Sequence, residues 1–230
     1  VAERAVLFDL FGTLVAPFRR AEHQVAIADC AAQLGIATAD CQRFWVESFA
    51  QRIRGGFGRV ADNFAWIACQ TGQHPLAPER LGAAEARYMR FTSESLTPVA
   101  GAVELLLRLR SRGLQIGLVT NCAPDVPQSW AGSAFADLVD VCAFSCQLGS
   151  VKPEPEIFHH ALKRLGVPAE RAWFVGDGSD RELTGAAACG MRPVLVANDL
   201  SNTYDAQRPE VTGWQGPVVG RLAEFEALLG

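Results

Sequence analysis

Residues that could do chemistry stand at or just beyond the ends of apolar runs. Asp9 closes residues 5–9 (AVLFD), Thr120 and Asn121 end residues 115–121 (QIGLVTN), and Asp177 follows residues 172–176 (AWFVG). Lys152 precedes a proline and a helical stretch. In an open parallel sheet, ligands bind at the carboxyl ends of the strands, so these groups are expected in one crevice. Carboxylates gathered there without a cation repel one another and become harder to ionise. A divalent ion turns the same cluster into a binding site, and the pattern therefore points to metal-assisted chemistry.

The elements that must position these residues are legible as alternation. Residues 5–9, 115–120, 141–145, 172–176 and 193–197 are short, apolar and rich in β-branched or aromatic side chains, and read as buried strands. Helical periodicity fills residues 103–112, 154–165 and 181–189 between them. Strands alternating with helices predict a three-layer α/β/α core around a parallel sheet, Rossmann-like in form. Residues 18–96 break the rhythm with helical stretches at 21–34, 39–54, 60–71 and 78–95 and no strand. They predict an all-helical insertion, which divides the chain into a core of residues 1–16 and 97–230 and a helical unit of residues 17–96. Residues 219–229 are expected to form a closing helix.

Composition narrows the function classes. The net charge of −4 comes from interspersed residues of both signs, with no basic stripe for a nucleic-acid backbone. No run is long and apolar enough to span a membrane, and residues 1–8 do not form a signal segment. The seven cysteines lack the spacing of a metal finger or a paired disulfide framework, which favours a reducing, cytoplasmic setting. The expected partner is a small molecule, and oligomeric state is left open.

Taken in order, Asp9-Leu10-Phe11-Gly12-Thr13-Leu14, then Thr120-Asn121, then Lys152-Pro153, then Gly176-Asp177 with Glu182 and Gly185-Ala186, the sequence resembles the haloacid dehalogenase superfamily across nearly its full length. The resemblance implies a helical cap of the first type and a role for each residue. Asp9 is the covalent nucleophile, which splits one hard displacement into two easier ones. Its second oxygen, Asp177 and the backbone carbonyl of Phe11 hold Mg2+, a hard cation that prefers oxygen ligands. Glu182, in place of a more usual Asp, supports that centre. Lys152 neutralises the nucleophile and the transferring group, while Thr120 and Asn121 bind phosphate.

One position departs from the superfamily's phosphatases. A second Asp usually lies two residues after the nucleophile and handles the leaving group's proton; here Phe11 stands there and can transfer none. Phe11 pulls towards dehalogenase chemistry on an aspartyl ester, whereas the acidic Asp177 and Glu182 pull towards a phosphatase acting on a small phosphorylated metabolite. The phosphatase reading is the favoured one. A third reading keeps the fold as a weakly catalytic binder of phosphorylated ligands. Within the insertion, Arg52, Arg54 and Arg59 surround Gly55-Gly56-Phe57-Gly58, and Arg54 and Arg59 are taken as candidate substrate contacts. Trp45, Phe49, Phe64 and Trp66 are expected in the helical core, Cys122 is assigned no chemistry, and His23 is the one histidine considered as a surrogate acid.

Overall fold

In the computed structural model, which describes residues 4–229, six strands form one parallel sheet. They are β1 (Ala5–Phe8), β2 (Gln115–Thr120), β3 (Val141–Phe144), β4 (Ala172–Gly176), β5 (Arg192–Val196) and β6 (Val218–Val219), in the order β3-β2-β1-β4-β5-β6. The chain builds outward from β1 in one direction and then returns to build in the other. The order thus reverses between β1 and β4, whose carboxyl ends carry Asp9 and Asp177.

The insertion supplies α1 (Arg20–Leu34), α2 (Thr38–Glu47), α3 (Phe49–Ile53), α4 (Val60–Gln70) and α5 (Pro78–Ser95). The rest of the chain supplies α6 (Ala102–Ser111), α7 (Asp125–Trp130), α8 (Ser145–Leu148), α9 (Pro155–Leu165), α10 (Glu182–Ala188) and α11 (Pro209–Thr212). Along β1 the side chains alternate between the faces of the sheet. Val6 and Phe8 join α6 and the 3-10 helix Leu222–Leu229 in one core. Ala5 and Leu7 join α9 and α10 in another. Both faces are covered, so β1 is a continuous apolar run and not an alternating one.

The insertion has a third apolar core of its own, with Ile27, Leu34, Trp45, Phe64, Tyr88 and Phe91 among its members. Its two connections to the sheet run side by side. Val15 and Pro98 form an antiparallel bridge, and the Val99 amide donates to the Leu14 carbonyl at 2.9 Å. No helix among the described residues is long and apolar enough to cross a membrane.

Several elements differ from the sequence expectation. The helix expected over 39–54 breaks at Ser48 into α2 and α3. The Ser48 hydroxyl donates to the Trp45 carbonyl at 3.1 Å, a local bond that competes with the helical ladder. As a result Phe49 is half exposed, outside the core expected to hold it, while Trp66 only packs against that core. The helix expected over 219–229 starts later, as the 3-10 turn Leu222–Leu229, because Val218 and Val219 add the edge strand β6 to β5. Neither α7, with Pro127 in its first turn, nor α8 was expected.

Candidate active site

After β1 the backbone turns within a few residues, with the amides of Thr13, Leu14 and Val15 all directed at the Leu10 carbonyl. Gly12 makes this turn at φ +85, a conformation that side chains resist. It is also a spatial requirement, since a Cβ on Gly12 would lie 1.9 Å from Asp177 Oδ2. Gly176 does the same for the other acid: a Cβ there would lie 2.2 Å from Glu182 Oε1. Two glycines therefore leave the room into which two carboxylates are folded.

Asp9, Asp177 and Glu182 are all buried, each placing a carboxylate oxygen within 4.8 Å of the others. Lys152, equally buried, bridges two of them, with Nζ 2.5 Å from Asp9 Oδ1 and 2.5 Å from Glu182 Oε2. Burial opposes the Lys152 charge, but Asp9 and Glu182 outweigh it and hold the ammonium above its ordinary pKa. Burial first, then the charge of Asp177, pushes the Asp9 carboxyl up to about 6 against the pull of Lys152. Burial and the charge of Asp9 likewise push Glu182 well above the usual carboxylate range.

The oxygens sort by engagement. Both oxygens of Glu182 are taken, Oε2 by Lys152 and Oε1 by the Gly178 amide at 2.9 Å. Asp177 Oδ1 accepts the Ser179 amide at 3.1 Å and lies 2.6 Å from Arg208 Nη1. Asp9 Oδ2 and Asp177 Oδ2 are buried with no hydrogen-bond partner. Leaving such groups unpaired is costly, and two orphaned carboxylate oxygens in one buried acidic cluster fit a hard cation.

Thr120 is buried at the end of β2, and Asn121 follows it at the rim. The Asn121 side chain clamps the neighbouring loop: Oδ1 accepts the Lys152 amide at 2.8 Å, and Nδ2 donates to the Lys152 carbonyl at 3.3 Å and to Asp180 Oδ2 at 2.7 Å. Asp180 and Arg181 both take left-handed conformations, at φ 53 and 55, in the turn that carries Glu182 back to the site. Arg208, from the loop after β5, and Asn198, whose amide donates to the Gly12 carbonyl, were not foreseen. They approach from far along the chain, Asn198 just past the end of residues 193–197 and Arg208 in the loop beyond it.

A cavity of about 390 Å³ opens between the insertion and this edge of the sheet, with Phe11, Asn121 and Asp180 in its wall. The arginines singled out in the insertion loop do not line it. Arg54 pairs with Glu154 at 2.5 Å and donates to the Gly149 carbonyl at 3.2 Å, while Arg59 pairs with Glu85. Arg52 does line the cavity, as do Cys122 and His23. Burial lowers the His23 pKa to about 3, so the ring is neutral, with Nδ1 2.6 Å from the Tyr204 hydroxyl and Nε2 3.3 Å from that of Tyr88.

Comparison with known proteins agrees with this geometry. The chain is 36% identical to a phosphoserine phosphatase of Thermus thermophilus over 126 residues, 54% of this chain and 50% of that protein. It is 27% identical to a glyceraldehyde 3-phosphate phosphatase of Methanopyrus kandleri over 195 residues, covering 84% of this chain and 83% of that one. The match thus spans half the length of the first relative. Among solved structures, a HAD phosphatase from Thermococcus onnurineus superposes with a TM-score of 0.67 at 24% identity, covering 99% and 98% of the two chains. A 2-haloacid dehalogenase from Pseudomonas syringae gives 0.68 at 22% identity over the same shares, so the fold is common to both chemistries. With Asp9 just past the end of β1, a lysine bridging it to Glu182, Asp177 beside them at the switch point of the sheet, and a family match running over residues 3–190, the chain belongs to the haloacid dehalogenase-like hydrolases.

Proposed function

We propose that the chain is a Mg2+-dependent phosphatase for a small phosphorylated metabolite, working through an aspartyl-phosphate intermediate. Residues 1–16 and 97–230 form its catalytic core and residues 17–96 its cap; residues 1–3 and 230 lie outside the described part of the chain. The observation that carries this reading is the pair of orphaned oxygens on Asp9 and Asp177. Those two oxygens and the Phe11 carbonyl would hold the magnesium ion, which when bound offsets the crowded negative charge and anchors a phosphoryl oxygen.

The residues of the chain do the rest. Asp9 Oδ1, held by Lys152, attacks phosphorus while the bond to the ester oxygen breaks. Water then attacks the acyl phosphate and returns Asp9 with release of inorganic phosphate. Lys152 balances charge on the nucleophile and on the transferring group, and Thr120 donates its hydroxyl to a phosphoryl oxygen. Asn121 acts through Lys152, whose backbone it holds at both the amide and the carbonyl. Glu182 keeps the lysine in place and closes the Gly178 turn. Phe11 has no proton to give, so the leaving oxygen takes its proton from water. The phosphatase names of the relatives support the assignment, and the seven free thiols support a reducing, cytoplasmic setting.

Phe11 favours the second reading, hydrolysis of a carbon–halogen bond. Its ring packs edge-on against Phe18 at 5.2 Å between centroids and presents an apolar wall where phosphatases present an acid. The deciding experiment is a parallel assay of phosphate and halide release with magnesium and with excess chelator. Phosphate release that disappears with chelator is the expected result. Halide release from a 2-haloacid at full rate in chelator, with no phosphate release, replaces this reading with the dehalogenase one.

A further inference from the structure

Among the charged groups in the cavity wall, Arg52 is one that the chemistry above does not use. Arg52, on α3, is only 5% exposed. Its Nη1 donates to three neutral oxygens: the Trp45 carbonyl at 2.5 Å, Ser48 Oγ at 2.6 Å and Asn63 Oδ1 at 3.2 Å. The guanidinium carbon lies 4.1 Å from the centre of the Trp45 ring, which fixes the plane of the group. Among the described residues, Nε and Nη2 have no hydrogen-bond partner and no carboxylate forms an ion pair with Arg52. Its neighbours in sequence differ, since Arg54 and Arg59 each have an acidic partner.

A buried charge without an ion-pair partner is expensive, and the charge of Asp125 reaches Arg52 only through space, with no ion pair formed. Burial lowers the Arg52 pKa to about 10, so the group is still a cation at neutral pH. The acids in the cavity wall are engaged elsewhere. Asp125 accepts the Thr92 hydroxyl at 2.7 Å and is itself pushed towards its neutral form by burial. Asp180 accepts Asn121, and Asp205 pairs with Arg208. The three bonds made by Nη1 need only a donor, and the Trp45 ring takes one face of the guanidinium, which leaves the Nε–Nη2 edge with no part in the packing of the insertion.

We propose that Arg52 is the seat of a substrate carboxylate, so that the enzyme takes phosphate monoesters of hydroxy acids with an apolar or aromatic body. The phosphoryl end of this substrate rests on the phosphatase reading above. Nε and Nη2 form the free edge of the fork, suited to the two oxygens of one carboxylate. A second phosphate would bring two charges against one guanidinium in a wall that already contains Asp125 and Asp180. Phe18, Phe49, Tyr88 and Tyr204 line the same cavity as Arg52 and fit an apolar body joining the two charged ends.

The test separates binding from turnover. Binding of 3-phenylpropanoate and of its amide, 3-phenylpropanamide, is measured by calorimetry on the wild-type protein with magnesium. The acid is expected to bind at least about tenfold tighter, the cost of losing one charge-assisted contact. Arg52→Gln keeps a donor for the neutral oxygens and should abolish that preference, while Arg52→Lys should keep part of it. In turnover, the phosphate ester of 3-(4-hydroxyphenyl)propanoate, with phosphate and carboxylate at opposite ends of its ring, should exceed the corresponding amide in kcat/KM by a similar factor, and Arg52→Gln should bring the ratio near unity. Equal or absent binding of acid and amide by the wild-type protein overturns the proposal without any variant, as does a preference that survives in a folded Arg52→Gln. Preference for the acid without phosphate release from any ester keeps the carboxylate seat and overturns only the phosphatase reading.

Discussion

At Gly12 one missing side chain serves both the turn and the site. Gly12→Ala must adopt φ +85 with a methyl group 1.9 Å from Asp177 Oδ2, so either the turn opens or the carboxylate moves. We expect it to cost more than about 1 kcal/mol of stability, the usual consequence of a Cβ at a positive φ. Phosphate release should fall far more than the melting temperature, which paired kinetic and thermal measurements will show. Asp177 and Glu182 separate in the same way. Asp177→Asn alters the carboxylate that carries an orphaned oxygen, whereas Glu182→Gln alters one whose oxygens are both engaged. Titration calorimetry should find magnesium binding lost in Asp177→Asn, and weakened by about 10–100-fold in Glu182→Gln, as for a supporting partner. Equal loss in both would place Glu182 on the metal.

The N-terminal turn of α1 meets the loop after β5: the Arg20 amide donates to the Asn202 carbonyl at 2.8 Å, and His23 reaches Tyr204. His23 titrates near 3 when folded and near 6.5 when exposed, so protons bind the unfolded chain more readily than the native one. Its contribution to stability is complete above pH 6.5 and is lost as the pH falls towards 3, at up to about 1.4 kcal/mol per pH unit. Asp9 runs the other way, its raised pKa removing stability as the pH rises from the unfolded value of 3.8 through about 6. Denaturant titrations of wild type and His23→Gln isolate the histidine: the difference between them should shrink steadily below pH 6.5, and a constant difference would show that His23 is charged when folded. The same junction marks where sequence reading ended. Asp9, Thr120 and Asp177 were legible because each stands at the end of an apolar strand with a known place in a parallel sheet, Lys152 because it opens a helical stretch, and Glu182 through the resemblance alone. Arg208, Asn198 and Tyr204 come from a loop without periodicity, and only the folded chain brings them to Asp177, Gly12 and α1. The break between α2 and α3 was hidden because Ser48 is compatible with a continuous helix until its hydroxyl finds a carbonyl.

On the scale of the whole molecule, three apolar cores are stacked on one chain, two against the sheet and one inside the insertion. The two sheet cores share β1 and should unfold together. The third is joined to the rest of the chain by discrete contacts, among them Thr92 with Asp125, Arg54 with Glu154 and α1 with the loop after β5. Native-state hydrogen exchange should therefore show α1, α4 and α5 opening at a lower free energy than β1, β2 and β4. A single protection level across all six would show one cooperative unit. The bridge between Val15 and Pro98 makes such independence possible, because the strands leaving and re-entering the sheet are already joined at their base. Residues 16–97 thus hang from a closed socket, and because the entropy of closing it grows only with the logarithm of length, doubling the chain beyond it adds only about 0.6 kcal/mol. A foreign helical bundle of different size, spliced between Val15 and Pro98, should leave the sheet and its acidic edge assembled, while exchanging every wall of the cavity that the insertion provides.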